Sequence, residues 1–257
     1  MNYPLAGSAR ILKDVFFAMV WPAFAALSLA IAVGGKDVTT LGLILLCCGT
    51  MSTYGLDRLI DRRGVDPAAT RRGLRIAVLF SSLVALILAC TALWRFLVCC
   101  VLGILAGGYV PLKRIIPKNL VAVPAWTIGC CALPFASAPE INGHLVASAV
   151  ALALIVFANM VLCDIPNIEE DRLARVRAFA ARFGAKAGAV FAGLAALLGA
   201  VIAIPFHHAG LGVAALCLIP LAVILGRAPM NHRARLAVDE VVIFLPGPIT
   251  LLMLNGW

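Results

Sequence analysis

Charge is scarce in this sequence: 13% of its 257 residues are Asp, Glu, Lys or Arg against 63% apolar residues, and the mean hydropathy is +1.05. So little polar surface cannot cover a water-soluble domain, and the chain reads as a polytopic membrane protein. Histidine is limited to four, and six of the cysteines form adjacent pairs, Cys47-Cys48, Cys99-Cys100 and Cys130-Cys131. Neighbours on a helix point about 100° apart, which suits neither a shared zinc nor a disulfide, so these cysteines read as small packing residues. A cleavable signal peptide is also missing, because Met1 to Ser8 is short and polar and the first apolar run is long enough to stay as a span. With no separate soluble domain, low-complexity linker or strong repeat, residues 1–257 read as a single transmembrane domain.

What the sequence has in abundance is apolar runs of bilayer length. Windows of roughly 17 to 25 residues place nine spans near 14–34, 40–60, 74–93, 94–111, 119–138, 143–165, 185–205, 209–227 and 237–255. The least distinct divisions are at Trp94 and at His207-His208. Lys and Arg collect in cytoplasmic loops. With a cytoplasmic N-terminus, all 21 basic residues except Lys36 and Arg95 fall on the cytoplasmic side. The C-terminus then lies on the opposite face. Topology therefore accounts for the net charge of +9 without nucleic-acid binding, and part of the charge is available for anionic lipid or phosphate.

Against this background, two acidic clusters stand at the cytoplasmic ends of apolar segments, residues 53–61 and 164–171. Carboxylates in such places have a use more often than not. Thr53, Asp57 and Asp61 follow at intervals of four and share a helical face. Asp164, Asn167 and Asp171 follow at three and four, again on one face if the helix continues past Pro166; a kink there would instead turn the acidic loop over the pocket mouth. Glu169 is a spare carboxylate nearby. A solvated loop salt-bridged to Arg58, Arg62 or Arg63 is the plainer reading of the first cluster. The second cluster at the same membrane level favours a joint site. Oxygen ligands without His or Cys select a hard ion such as Mg²⁺, which is commonly shared with substrate phosphates. The Arg and Lys side chains beside the acids would then meet a diphosphate.

These residues resemble the UbiA superfamily of intramembrane prenyltransferases. Thr53, Asp57 and Asp61 stand in its first motif, Asn-x-x-x-Asp-x-x-x-Asp. Asp164-Ile-Pro-Asn167-Ile-Glu169-Glu170-Asp171-Arg172, continuing to Arg182-Phe183-Gly184, stands in its second. Tyr109-x-x-x-Lys113, followed by Arg114, matches a third element. Two departures are Thr53 for the usual Asn and Asn167 for an Asp, so one anionic ligand is missing. The resemblance implies an all-α bundle of nine transmembrane helices around a central cavity.

The resemblance also implies transfer of an isoprenyl group from its diphosphate to an aromatic or other hydrophobic acceptor within the membrane lipid. Mg²⁺ would be held by Asp57, Asp61, Asp171 and Asp164 or Asn167. Catalysis would rest on Asp57, Asp61, Asp171, Lys113 and Tyr109, and the diphosphate would be bound by Thr53, Arg58, Lys113, Arg114, Asn167 and Arg172. A terpene cyclase that needs no acceptor, and a carrier of an anionic lipid, are the alternatives; donor chain length, acceptor identity and oligomeric state are not encoded in these motifs. Elsewhere, His207 and His208 read as interfacial, Asp239 and Glu240 as acids at a helix N-terminus, with the holding of an acceptor or a basic partner as the lesser alternative, and Trp94 and Trp257 as interfacial anchors. Trp126 and Phe135 read as packing residues, with lining of a lipid channel as the lesser alternative.

Overall fold

The computed structural model describes residues 16–61, 68–206, 208–229 and 232–255, apart from the side chains of Asp61, Val110, His232 and Arg235. Arg10, Lys13, Arg62, Arg63, His207 and Trp257 lie outside the described residues. The chain is all-helical: among the described residues the sole β feature is a single antiparallel bridge between Val38 and Phe135. A π-helical turn, Phe16–Val20, leads into α1 (Trp21–Gly34). There follow α2 (Thr40–Asp61), α3 (Ala68–Ala89), α4 (Leu93–Leu112), α5 (Lys118–Ala132) and α6 (Gly143–Asp164). Short helices α7 (Ile168–Leu173) and α8 (Phe179–Phe183) precede α9 (Ala185–Ala203), α10 (Ala209–Arg227), α11 (His232–Phe244) and α12 (Pro246–Leu254).

Seven of these segments are long and apolar enough to cross a membrane, counting Leu236–Leu254 as one. Each of the nine expected segments contains a helix, but the count of nine crossings is not reproduced. Leu93–Tyr109 is a shorter apolar stretch. α5 has only 15 residues, about 22 Å at 1.5 Å per residue, because the chain leaves the helix before Pro134 and runs irregularly to Asn142. The third segment begins earlier than expected, at Ala68, and so carries Arg71, Arg72 and Arg75 on its first turns.

Packing follows a rule opposite to that of a soluble protein. In lipid the large apolar side chains can point outward, while small residues let backbones approach. α9 buries Gly188, Ala189, Ala192, Ala196, Gly199, Ala200 and Ala203 along one face and exposes Val190, Leu194, Leu198 and Val201 on the other. That small face receives α6 and α10, whose Leu152, Ile155, Leu162, Leu211, Leu218 and Leu225 are fully buried. α3 pairs with α2 and turns Leu79 and Phe80 outward.

The last span is broken by Pro246, which cannot continue the backbone ladder. The next amide is not stranded in the membrane: Gly247 N–H donates to Ser28 Oγ of α1 at 2.9 Å. Here α12 also meets α10 backbone to backbone, since a Cβ on Gly210 would overlap the Pro246 carbonyl and Thr250 Oγ1. Gly210→Leu is therefore expected to force α10 and α12 apart at a cost of about 3 kcal/mol. Thermal unfolding in detergent checks this, and an unchanged midpoint would contradict the close contact.

At the end away from the acidic motifs, a buried arginine ties three connections together. Arg95 Nη2 donates to the Phe135 carbonyl at 2.7 Å, and Thr39 N–H donates to the Pro134 carbonyl at 2.8 Å. His208 lies at this end too, 2.6 Å from Ser148 Oγ.

Candidate active site

The opposite end gathers the acidic motifs. α2 is helical through Asp61, so Asp57 stands on its last turns. The connection from α4 to α5 is short, and Pro117 directs the chain into α5 so that Lys118 is its first residue. Two backbone bonds pin this connection to the loop after the second motif: Lys118 N–H donates to the Arg177 carbonyl at 2.7 Å, and Arg177 N–H donates to the Lys113 carbonyl at 2.8 Å. The second motif itself turns from α-helix to 3₁₀ at Ile165–Asn167, with Pro166 in that turn, and resumes as α7. Neither simple expectation for Pro166 describes the result. The chain neither continues as one α-helix nor folds away; it tightens for three residues.

Each acidic motif is matched by a lysine from the connection between α4 and α5. Lys113 Nζ is 3.0 Å from Asp57 Oδ1 and nearly inaccessible, and it lies 5.1 Å from the centre of the Tyr109 ring. Lys118 Nζ bridges the second motif, 2.8 Å from Asp164 Oδ1 and 3.1 Å from Asp171 Oδ2. Burial pushes the Lys118 amine down, but the two carboxylates push it up by more, so its affinity for the proton exceeds that of an ordinary lysine. It is an ammonium at neutral pH. The other oxygen of Asp164 accepts from Asn119 Nδ2 at 3.1 Å, and Asn119 Oδ1 accepts from Phe179 N–H at 3.1 Å.

Beneath these pairs a cavity of about 580 Å³ opens between α1, α2, α4, α5, α6 and α11. Asp57, Arg58, Tyr109, Lys118 and Asp164 line it in one group. Apolar side chains from α1, α6 and α11, among them Trp21, Leu29, Val156, Met160 and Ile243, line much of the remainder. The Tyr54 hydroxyl accepts from Trp126 Nε1 at 3.1 Å, and both rings face the cavity. A second polar group completes the wall: Asn159 Nδ2 donates to the Val238 carbonyl at 3.0 Å, and Cys163 Sγ donates to Asp239 Oδ1 at 3.1 Å.

The structure thus brings together Asp57, Arg58, Tyr109, Lys113, Asp164 and Asp171. The other motif residues lie apart. Thr53 is exposed and donates its hydroxyl to the Gly49 carbonyl of its own helix at 3.0 Å. The face turned to the cavity is Tyr54, Asp57 and Arg58, because a four-residue step overshoots a full turn. Asn167 Nδ2 donates to the Cys163 carbonyl at 3.2 Å. Arg114 is exposed, and Arg172 is also exposed, held by Glu169 at 2.9 Å and by the Ala181 carbonyl. The Asp61 side chain is outside the described residues.

Lys118, Asn119, Tyr54, Asn159 and Cys163 were not singled out by the sequence. Two signals were present: Tyr54 stands three residues before Asp57, and Lys118 stands at the end of the basic stretch that opens at Lys113. Trp126 lines the cavity as the lesser reading had it, and so does Asp239, which stands in the interior of α11 and not at a helix N-terminus; the Phe135 carbonyl belongs to the Arg95 clamp instead.

As hosts for a divalent ion the two motifs differ. Asp57 carries the oxygen donors a hard cation takes, with Oδ1 3.0 Å from Lys113 Nζ and 31% of the side chain still exposed. In the second motif the oxygens of Asp164 and Asp171 are already turned onto Lys118 and Asn119. Among the described residues no group of three His, Cys, Asp or Glu side chains is placed to hold a metal.

The segments of membrane-spanning length thus carry a mouth of paired acids and lysines above a largely apolar cavity. The chain belongs to the UbiA prenyltransferase family, whose model matches residues 19–240. Members of this family generally bind Mg²⁺ through acidic motifs. Two solved structures share the fold. A UbiA homolog from Aeropyrum pernix K1 superimposes with a TM-score of 0.65 at 15% identity, covering 92% of this chain and 98% of that one. A digeranylgeranylglyceryl phosphate synthase does so with a TM-score of 0.60 at 12% identity, covering 95% and 96%. No curated protein matches the chain.

Proposed function

We propose that this protein transfers an isoprenyl group from a prenyl diphosphate to a hydroxylated or aromatic hydrophobic acceptor inside the membrane. The observation that carries this reading is the polarity of the cavity wall. A charged group at the two acidic motifs suits a diphosphate, and the apolar wall suits its chain. Asn159, Cys163 and Asp239 form a second polar group in the same wall. A cyclase folding a cation on itself has no need of polar side chains there. An acceptor does, and the Asp239 carboxylate can hold its hydroxyl or amine.

In this reading Lys113, Lys118 and Arg58 surround the diphosphate, and Tyr109, under the Lys113 ammonium, orients it. Asp57 and Asp61 would hold Mg²⁺, which would supply further neutralisation of the diphosphate charge. The allylic C–O bond breaks with its electron pair going to the departing oxygen, and fixed cations meet the charge that builds there. The apolar wall keeps water from the allylic cation until the acceptor attacks, and the proton the acceptor gives up as the new bond forms passes to the Asp239 carboxylate in the same wall. The end of the bundle that carries the motifs faces the cytoplasm, as the placement of basic residues argues, and the donor enters sideways from the bilayer.

The test is release of diphosphate by the purified protein with Mg²⁺, geranyl to longer prenyl diphosphates, and a panel of phenolic acceptors, with products identified by mass spectrometry. A prenylated acceptor is the expected product. No turnover from folded protein would overturn the reading, and a cyclic product formed without acceptor would move it to the cyclase.

A further inference from the structure

Lys113 meets one oxygen of Asp57, whose side chain keeps 31% of its surface exposed, whereas the second motif closes two withdrawn carboxylates on a single ammonium. Lys118 Nζ lies within 3.3 Å of three carboxylate oxygens, one from Asp164 and both from Asp171. All three side chains are largely withdrawn from solvent. This is an arrangement built by the chain and not a passing surface contact. The lysine is the first residue of α5, its backbone is tied to Arg177, and the remaining oxygen of Asp164 is taken by the fully buried Asn119. One position of the motif, Asn167, carries no charge and turns its amide to a backbone carbonyl. Two carboxylates with one ammonium already between them leave a single net negative charge. A dication placed there would stand against the ammonium at close range, with its carboxylate oxygens already engaged.

We propose that Lys118 is the resident cation of the second motif, bridging Asp164 and Asp171 in the place of a divalent ion, so that the protein engages its diphosphate donor with one metal ion, held at the first motif. This inference rests on the proposed prenyl-diphosphate site and narrows it. Lys118 also lines the cavity, so its ammonium both closes the acidic pair and faces the phosphate oxygens.

Counting metal ions tests this separately from turnover. Full-length protein in detergent is titrated with Mn²⁺ in the presence of a non-hydrolysable prenyl thiodiphosphate, and free Mn²⁺ is read by electron paramagnetic resonance. One ion per chain is expected for the unaltered protein and for Lys118→Arg, and two for Lys118→Gln combined with Asn167→Asp. Two ions or none in the unaltered protein, with the thiodiphosphate bound, would overturn the proposal, as would a folded double variant that still binds one. Should the thiodiphosphate itself not bind, the prenyl-diphosphate reading fails. Mn²⁺ binding without donor then decides the lysine's role: Asp57→Asn is expected to weaken it at least about tenfold and Asp171→Asn to leave it within about twofold, the reverse pattern refuting the inference.

Discussion

Asp57→Asn is expected to slow diphosphate release at least about 100-fold, a loss of about 2.7 kcal/mol in transition-state stabilisation. Asp57 is the acid of the first motif that both lines the cavity and pairs with the Lys113 ammonium at 3.0 Å. Asparagine keeps the size and a hydrogen-bond acceptor but removes the charge that holds Lys113 in place and would attract a metal. Because the lysine is buried beside Tyr109, its position sets the geometry in which the leaving group is met. Thr53→Ala is the internal control. The two positions share a motif, yet the Thr53 hydroxyl is exposed and spent on its own helix, so its loss is expected to change the rate less than about twofold. The two rates, with melting midpoints to confirm folding, separate a site that follows the motif pattern from one that follows the cavity. Equal losses in both variants, or full activity in Asp57→Asn, would reject the geometry.

The contrast between Thr53 and Asp57 marks how far the sequence carried. The segment order was legible because apolar runs of bilayer length are separated by charged stretches. That Asp57, Tyr109 and Lys113 lie together was legible because their motifs fall at one end of the bundle. Helical steps of four, however, identify a stripe only to within a fraction of a turn, and that fraction exchanged Thr53 for Tyr54 as the residue facing the cavity. The weak points elsewhere have the same local character. α5 is short because its irregular continuation is still apolar, so hydropathy alone could not end it. The break at Leu245 was hidden because the Gly247 amide finds its partner, Ser28, in a helix more than 200 residues away. The role of Lys118 was hidden for another reason. A basic residue in a cytoplasmic loop is already explained by topology, and only the fold reveals that it points inward onto Asp164 and Asp171.

Asn119 depends on that same fold, and Asn119→Leu is expected to be among the most destabilising single changes near the site. The asparagine is completely buried and uses both ends of its amide, donating to Asp164 Oδ2 and accepting from Phe179 N–H. Leucine fills a similar volume with no polar atom, so little cavity is created and the cost isolates hydrogen bonding. Phe179 opens α8 with an amide left short of its acceptor, and Asp164 loses the donor on one oxygen while Lys118 holds the other. Each unsatisfied buried group costs about 1–3 kcal/mol, more where a charge is involved. The sum, about 3–5 kcal/mol, corresponds to a fall in melting midpoint on the order of 10 °C. Asn119→Asp separates the two bonds: it keeps an acceptor for Phe179 but sets a carboxylate against Asp164, so it is expected to be destabilised as well, and less so at acid pH, where protonation restores a donor. A midpoint for Asn119→Leu within about 1 °C of the unaltered protein would show that α5 and the second motif are not coupled through this residue.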